Sequence, residues 1–258
     1  MTIAGMLNLM KLSNRRAQAR GDESAVLTYA IGDIHGCYLK LRRLLGHCAV
    51  HCGSGIPRFI FIGDYVDRGP NSAEVVRFLM KTQASAPNLT VCLRGNHEAM
   101  LIDAAAGGDE LVWLLNGGDA TLQSYGIETA AEIPPEHLAW FETLPFAVSD
   151  GKRFFVHAGI EPGTPLDEQP EEAMLWIREP FLSDMRDHGQ YIVHGHTIVH
   201  EGRADVRPNR LDLDTGAYRG GPLTAAVFDD ASIGPLALIT DDGEITPAPA
   251  LDTAHDDR

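Results

Sequence analysis

Three times in the first hundred residues an apolar run gives way to a polar, glycine-containing loop, then to apolar residues at helical spacing. VLTYAI (26–31) leads into GDIHG and then Leu41, Leu44, Leu45 and Cys48, which share one helix face. RFIFI (58–62) leads into GDYVDRGP, with Asn71 and Glu74 marking a helix start before Val75, Val76, Leu79 and Met80. LTVCL (89–93) leads into RGNHE, and AMLIDAAA (99–106) continues as a helix. Strand–loop–helix units of this kind predict parallel strands joined by helical crossovers.

The second half reads differently. FAVS, Asp150-Gly151 and KRFFV predict a hairpin with a D-G turn, and HAGI follows it directly. QYIV, RLDLD, PLTAAVF and PLALI are further short strands, and LVWLLN and PEHLAWFETL are helical stretches between the halves. With no internal repeat or linker from 26 to 240, the pattern predicts one α/β domain with more than one sheet layer. Residues 1–25 read as a flexible leader and 241–258, acidic and rich in Pro and Ala, as a flexible tail.

Composition narrows the function classes. A net charge of −15 disfavours a basic nucleic-acid-binding surface. No apolar run reaches the eighteen or so residues that span a membrane. The leader's basic residues follow its apolar part, the wrong order for a signal peptide, and the four cysteines suit a reducing compartment, so a cytoplasmic location is expected. His47, Cys48, His51 and Cys52 sit in one short segment, whereas zinc sites usually join two separated pairs. They read as helix-end residues and small hydrophobes.

In open α/β sheets ligands sit beyond the carboxyl ends of the strands. The polar clusters fall there: Asp33 and His35; Asp64, Asp67 and Arg68; Asn96 and His97; His157; His196. One such cluster would be turn chemistry. Five, with mixed oxygen and nitrogen donors, suit Mn²⁺, Fe or Zn²⁺.

GDIHG, GDYVDRG, RGNHE, HAG and HGHT, in that order, resemble the signature of the metallophosphoesterase superfamily, and more closely its phosphoprotein phosphatase branch. RGNHEAMLID, WLLNGG, WIRE and LDTGA resemble bacterial and phage (lambda-type) members, over about residues 28–230. The resemblance implies a layered sandwich of two mixed β-sheets flanked by helices. It implies a first divalent metal on Asp33, His35 and Asp64, and a second on Asp64, Asn96, His157 and His196, with Mn²⁺ preferred. It further implies that Arg68, Arg178 and Asn96 bind the phosphoryl group, the two arginines as a clamp, that His97 protonates the leaving oxygen, and that Asp67 orients His97. His194 has no ligand role in that scheme, and His200 lies past the loop. Two divalent ions against two carboxylates leave the bare site at about +2, a match for a phosphate monoester dianion. A hydroxide bridging the ions could then attack phosphorus in line.

The expected activity is a metal-dependent phosphomonoesterase of the Ser/Thr protein phosphatase type, acting on a phosphoprotein or phosphopeptide and on small phosphate esters, without nucleic-acid or membrane partners. The competing reading is a symmetrical diadenosine tetraphosphate hydrolase, which shares the signature. Glu98 after His97, the acidic Asp67 and the short span from His157 to His196 favour the first, because those hydrolases tend to have GNHD, often lack the acidic residue and carry a longer insertion. A non-catalytic module would have lost ligands, and every ligand position is filled. Trp113 and Trp176 read as core residues.

Overall fold

The computed structural model describes residues 26–249 and Leu251. The leader assigned to 1–25, with 250 and 252–258, lies outside them. Each of the three repeating units forms as its pattern predicts. Strands β1 (Val26–Ile31), β2 (Ile56–Phe61) and β3 (Thr90–Cys92) pair in parallel. Helices α1 (Tyr38–Cys52), α2 (Ser72–Ser85) and α3 (Asn96–Ala105) follow them in turn. Asn71 precedes α2 without a capping side-chain bond; Ser124 Oγ accepts the Ala73 N–H instead.

Next come α4 (Glu110–Trp113), α5 (Asp119–Tyr125) and α6 (Pro135–Thr143). LVWLLN does not continue as one helix. Between α4 and α5 a π-turn spans Leu114–Gly118, with Gly117 at φ +102°. The second sheet contains β4 (Ala147–Ser149), β5 (Arg153–Val156), β6 (Tyr191–His194), β7 (Asp205–Val206) and β8 (Arg210–Asp212), with α7 (Glu171–Trp176) between β5 and β6. Its order is β4-β5-β6-β8-β7; β5, β6 and β8 run parallel and the two edge strands antiparallel. The chain then returns to the first sheet through β9 (Thr224–Phe228), β10 (Ala237–Thr240) and β11 (Ile245–Pro247), giving the order β11-β10-β9-β1-β2-β3. The tail boundary drawn at residue 240 from composition therefore cuts a hairpin, since Ile245 pairs with Ile239. Backbone pairing at the sheet edge holds this stretch where its side chains, all exposed on β11, do not.

Strand alternation separates the layers. Tyr29, Ile31, Phe59 and Phe61 face α1, α2 and α3. The alternate residues Ala30, Ile60 and Ile62 face the second sheet, meeting Phe155, Tyr191, Val193 and Leu211 in a shared inner core. Phe154, Val156 and Ile192 point the other way, under Met174 and Phe181. Two mixed sheets packed face to face, with helices outside, leave the carboxyl ends of β1, β2, β3, β5 and β6 converging on one edge. Among the described residues no helix is long and apolar enough to cross a membrane.

Candidate metal centre

The loops at that edge are locked together by their own backbone. Asp64 O accepts the N–H groups of both Ile34 and His35 (3.0 and 2.8 Å), and Tyr65 O accepts Gly36 N–H (2.9 Å). Among the described residues five non-glycine residues have positive φ: His35, Asp64, Asp67, Arg68 and His196. All five are site residues named from the sequence. Each such conformation costs on the order of 1–3 kcal/mol, so strain here is concentrated where chemistry is expected.

Asp64 is the centre of two donor groups, His35–Asp64–His97 and Asp64–His157–His196, all buried. Its Oδ2 lies 3.4 Å from His35 Nε2 and 3.9 Å from His97 Nε2, and its Oδ1 lies 3.4 Å from His157 Nε2. Burial alone would raise its carboxyl, but His157, His97, His35 and His196 together hold it well below the usual carboxylate range. Gly95 makes room for it: a Cβ there would fall 2.2 Å from Asp64 Oδ1.

The second group includes Asn96. His157 Nδ1 donates to Ile62 O (2.9 Å), which leaves Nε2 as a lone pair. That lone pair faces Asn96 Oδ1 at 2.8 Å, with the amide placed oxygen-inward, and His196 Nδ1 lies 3.0 Å from the same oxygen. The His157 lone pair and the Asn96 oxygen are both acceptors and repel at 2.8 Å unless a cation lies beside them, so the donor set fits a divalent metal. Burial lowers His157, and burial with His157 beside it lowers His196 to about 2, so both stay neutral and ligand-competent.

The first group departs from expectation in one respect: His97 stands in it and Asp33 does not. The Asp33 carboxylate is turned to the His196 N–H (3.3 and 3.1 Å). Burial, then Asp214 and Asp64, push it well above the ordinary range. Three buried acids crowded together are a poor arrangement without a cation and a good one with it. His35 suits the same ion: Nδ1 donates to Val66 O (2.8 Å), burial keeps the ring neutral, and Nε2 carries the lone pair, which here accepts from Arg68 Nη1.

His97 is set apart by its partner. Its Nδ1 donates to Asp67 Oδ2 at 2.7 Å, while its Nε2 is buried with no hydrogen-bond partner. Burial works against its charged form, but Asp64 and Asp67 outweigh it and raise the pKa. Asp67 also accepts Trp113 Nε1 (3.0 and 2.9 Å) and Thr121 Oγ1 (2.7 Å).

These motifs lie where a family model, calcineurin-like phosphoesterase, matches residues 27–223. The chain belongs to the calcineurin-like phosphoesterases. It is 30% identical over 209 residues to serine/threonine-protein phosphatase 1 of Salmonella typhimurium, covering 77% of this chain and 90% of that protein. It is 40% identical over 135 residues to a symmetrical bis(5'-nucleosyl)-tetraphosphatase of Dechloromonas aromatica, covering 52% of this chain and 44% of that protein. A cold-active protein-tyrosine phosphatase of a Shewanella species superposes with a TM-score of 0.64 at 17% identity, over 88% of this chain and 82% of that one. That likeness shows the shared α/β sandwich.

The two arginines of this phosphoesterase differ. Arg68 is half-buried; its Nη1 donates to His35 Nε2 (2.8 Å) and its guanidinium lies over the Tyr218 ring (4.9 Å). Arg178 is exposed, on the His196 side, where its charge opposes protonation of that ring. The neighbouring Glu179 is engaged by Ser183 Oγ (2.6 Å), not by Arg178. His194, fully buried, faces Gly195 O (3.1 Å), Arg210 and the Phe181 ring, outside both donor groups; His200 is exposed. The His47–Cys52 segment is helical: Cys48 and Cys52 enter the core, and His51 Nδ1 meets Tyr29 OH (3.0 Å).

Sequence reading missed the supports of the phosphoesterase site. Trp113 is core, yet its indole also holds the Asp67 carboxylate. Gly117 in WLLNGG lies against Arg68 and accepts its backbone N–H (3.0 Å), and a Cβ there would fall 2.7 Å from Arg68 Cγ. Trp176 is half-buried at the border of the main core, which it packs against, and its ring meets His196 at a near-perpendicular angle (6.3 Å). Glu98, noted only as a family marker, accepts the N–H groups of Asp64 (2.9 Å), Tyr65 (2.7 Å) and Gly95 (2.9 Å) while fully buried. It ties the Asp64 loop to the start of α3. Glu98→Ala would leave these donors unpaired, at about 1–3 kcal/mol each. A stability loss of at least about 3 kcal/mol in urea unfolding is expected, and a loss below about 1 kcal/mol would show that the amides find other partners.

Proposed function

We propose that this calcineurin-like phosphoesterase is a phosphomonoesterase of the Ser/Thr protein phosphatase type. The observation that carries the reading is Asp64, whose two carboxylate oxygens each face a separate histidine set beside a buried His97–Asp67 pair. Asp33, His35 and Asp64 would hold one divalent ion, and Asp64, Asn96, His157 and His196 the other. Mn²⁺ is the preferred metal, with Fe or Zn²⁺ as alternatives. Two such ions supply Lewis acidity and an acidified water for attack on phosphorus.

The chain's own groups do the rest. Arg68 and Arg178 bind the phosphoryl oxygens, a task suited to a planar guanidinium fork. One imidazole lone pair cannot serve a guanidinium and a cation together, so Arg68 would have to release His35 for that ring to hold a metal, which would free the guanidinium for substrate. His97 delivers a proton from Nε2 to the leaving oxygen. Asp67 holds Nδ1–H and so fixes which nitrogen faces the reaction. The buried position of this pair keeps bulk water from taking over the proton transfer.

The protein-phosphatase reading is supported by the Salmonella phosphatase, which the match spans almost end to end. Dinucleoside polyphosphate hydrolysis is the second reading, supported by the higher identity to the tetraphosphatase over half of this chain. A panel with added Mn²⁺ separates them: phosphoserine, phosphothreonine and phosphotyrosine peptides against diadenosine tetraphosphate. The expected result is at least about tenfold higher kcat/KM on a phosphoserine or phosphothreonine peptide, equal to about 1.4 kcal/mol at the transition state. Preference for the dinucleotide reverses the order.

A further inference from the structure

The segment after LDTG places two residues at the mouth of the site that no part of the chemistry above uses. The Tyr218 ring packs edge to face with His35 (5.1 Å), so it adjoins the first donor group. Two guanidinium groups lie over it: Arg68 at 4.9 Å and Arg219 at 5.4 Å. Arg219 is exposed, and its charge reaches the Asp214 carboxylate only from beyond ion-pair distance, opposing the effect of burial on that acid. In a chain of net charge −15, an exposed arginine held on an aromatic face beside Arg68 is conspicuous. Cation–π contact with Tyr218 lowers the freedom of both side chains and presents both charges from one platform.

We propose that Arg219, carried on Tyr218, forms a second anion subsite that selects phosphopeptides bearing an acidic side chain next to the phosphorylated residue. This rests on the protein-phosphatase reading. The two guanidinium carbons share a ring and are no more than about 10 Å apart. An extended peptide advances roughly 3.3–3.6 Å per residue, so a carboxylate one or two positions from the phosphoresidue falls within that reach. Tyr218 is a positioning residue here: it acts through the two arginines.

The test uses the Mn²⁺-loaded full chain and two phosphoserine peptides differing only in Glu or Gln at the flanking positions, each as an inhibitor of p-nitrophenyl phosphate hydrolysis. The wild type should bind the Glu peptide about fivefold more tightly, as expected for one exposed charge pair. Arg219→Ala should bind the two peptides equally, with its KM for p-nitrophenyl phosphate unchanged. Tyr218→Phe should keep the preference and Tyr218→Leu should lose it. Equal binding by the wild type, no inhibition by either peptide, or a preference surviving Arg219→Ala overturns the proposal. So does a loss of diadenosine tetraphosphate binding in Arg219→Ala while both peptides bind wild type alike, which assigns the subsite to a polyphosphate chain. Inhibition reads binding without turnover. A peptide that binds with the predicted preference yet is never hydrolysed therefore supports the subsite and removes the protein-phosphatase reading.

Discussion

Asp64→Asn is expected to leave a folded protein that retains fewer than two ions per chain after dialysis and has lost at least ~10³-fold in kcat. Removing a side chain that merely supports a metal ligand costs about 10–100-fold, and Asp64 faces both donor groups directly. The substitution suits the backbone: Asp64 sits at φ +53°, a region that Asn tolerates nearly as well as Asp. The amide oxygen can still accept the His97 N–H that Asp64 Oδ1 now takes at 3.1 Å. What disappears is the charge between four histidines. Metal analysis and activity on p-nitrophenyl phosphate are measured together. Two ions retained at wild-type affinity would remove Asp64 from the bridging position.

His97→Asn should keep both metals and lose about 10²–10⁴-fold in kcat, the usual weight of a positioned proton donor. The loss should depend on the leaving group. A serine alkoxide needs a proton in the transition state, whereas p-nitrophenolate leaves with little help, so the phosphoserine peptide should suffer far more than p-nitrophenyl phosphate. An equal loss on both would show that His97 acts on binding or on the metals. The pH profile gives the sign. Asp64 and Asp67 raise the pKa of His97 against its burial, so the proton is held to higher pH than on a free imidazole and activity falls on the alkaline side as it leaves. Asp67→Asn removes one of those charges, lowers the pKa of His97 and moves the alkaline limb of kcat to lower pH. A limb that stays in place assigns it to another group.

The repeating units were legible because apolar runs and helical spacing are local properties, and the loops carrying Asp33, His35, Asp64, Asn96 and His97 fall where those runs end. Packing partners were not local. Glu98 lies 34 residues from the Asp64 amide it accepts, and Trp113 lies 46 from the Asp67 carboxylate it holds. Nothing in RGNHE or WLLNGG alone says that these side chains meet the GDYVDRG loop. The tail shows the opposite failure: an acidic stretch with an exposed strand reads as disordered, because its order comes from backbone pairing with β10.

The order of side chains along the chain thus determined which donors this protein owns and which strand ends carry them. The tertiary structure decided how they are shared: it set Asp64 between two histidine groups, turned Asp33 toward the His196 amide, gave His97 a hydrogen-bonded acidic partner in Asp67, left His194 outside both donor groups, and brought Arg219 to the Tyr218 ring beside the site. The physical reason is that donor identity is written residue by residue. Convergence depends on five strands from two sheets ending at one edge, with loop backbones held in conformations that only the packed whole can stabilise.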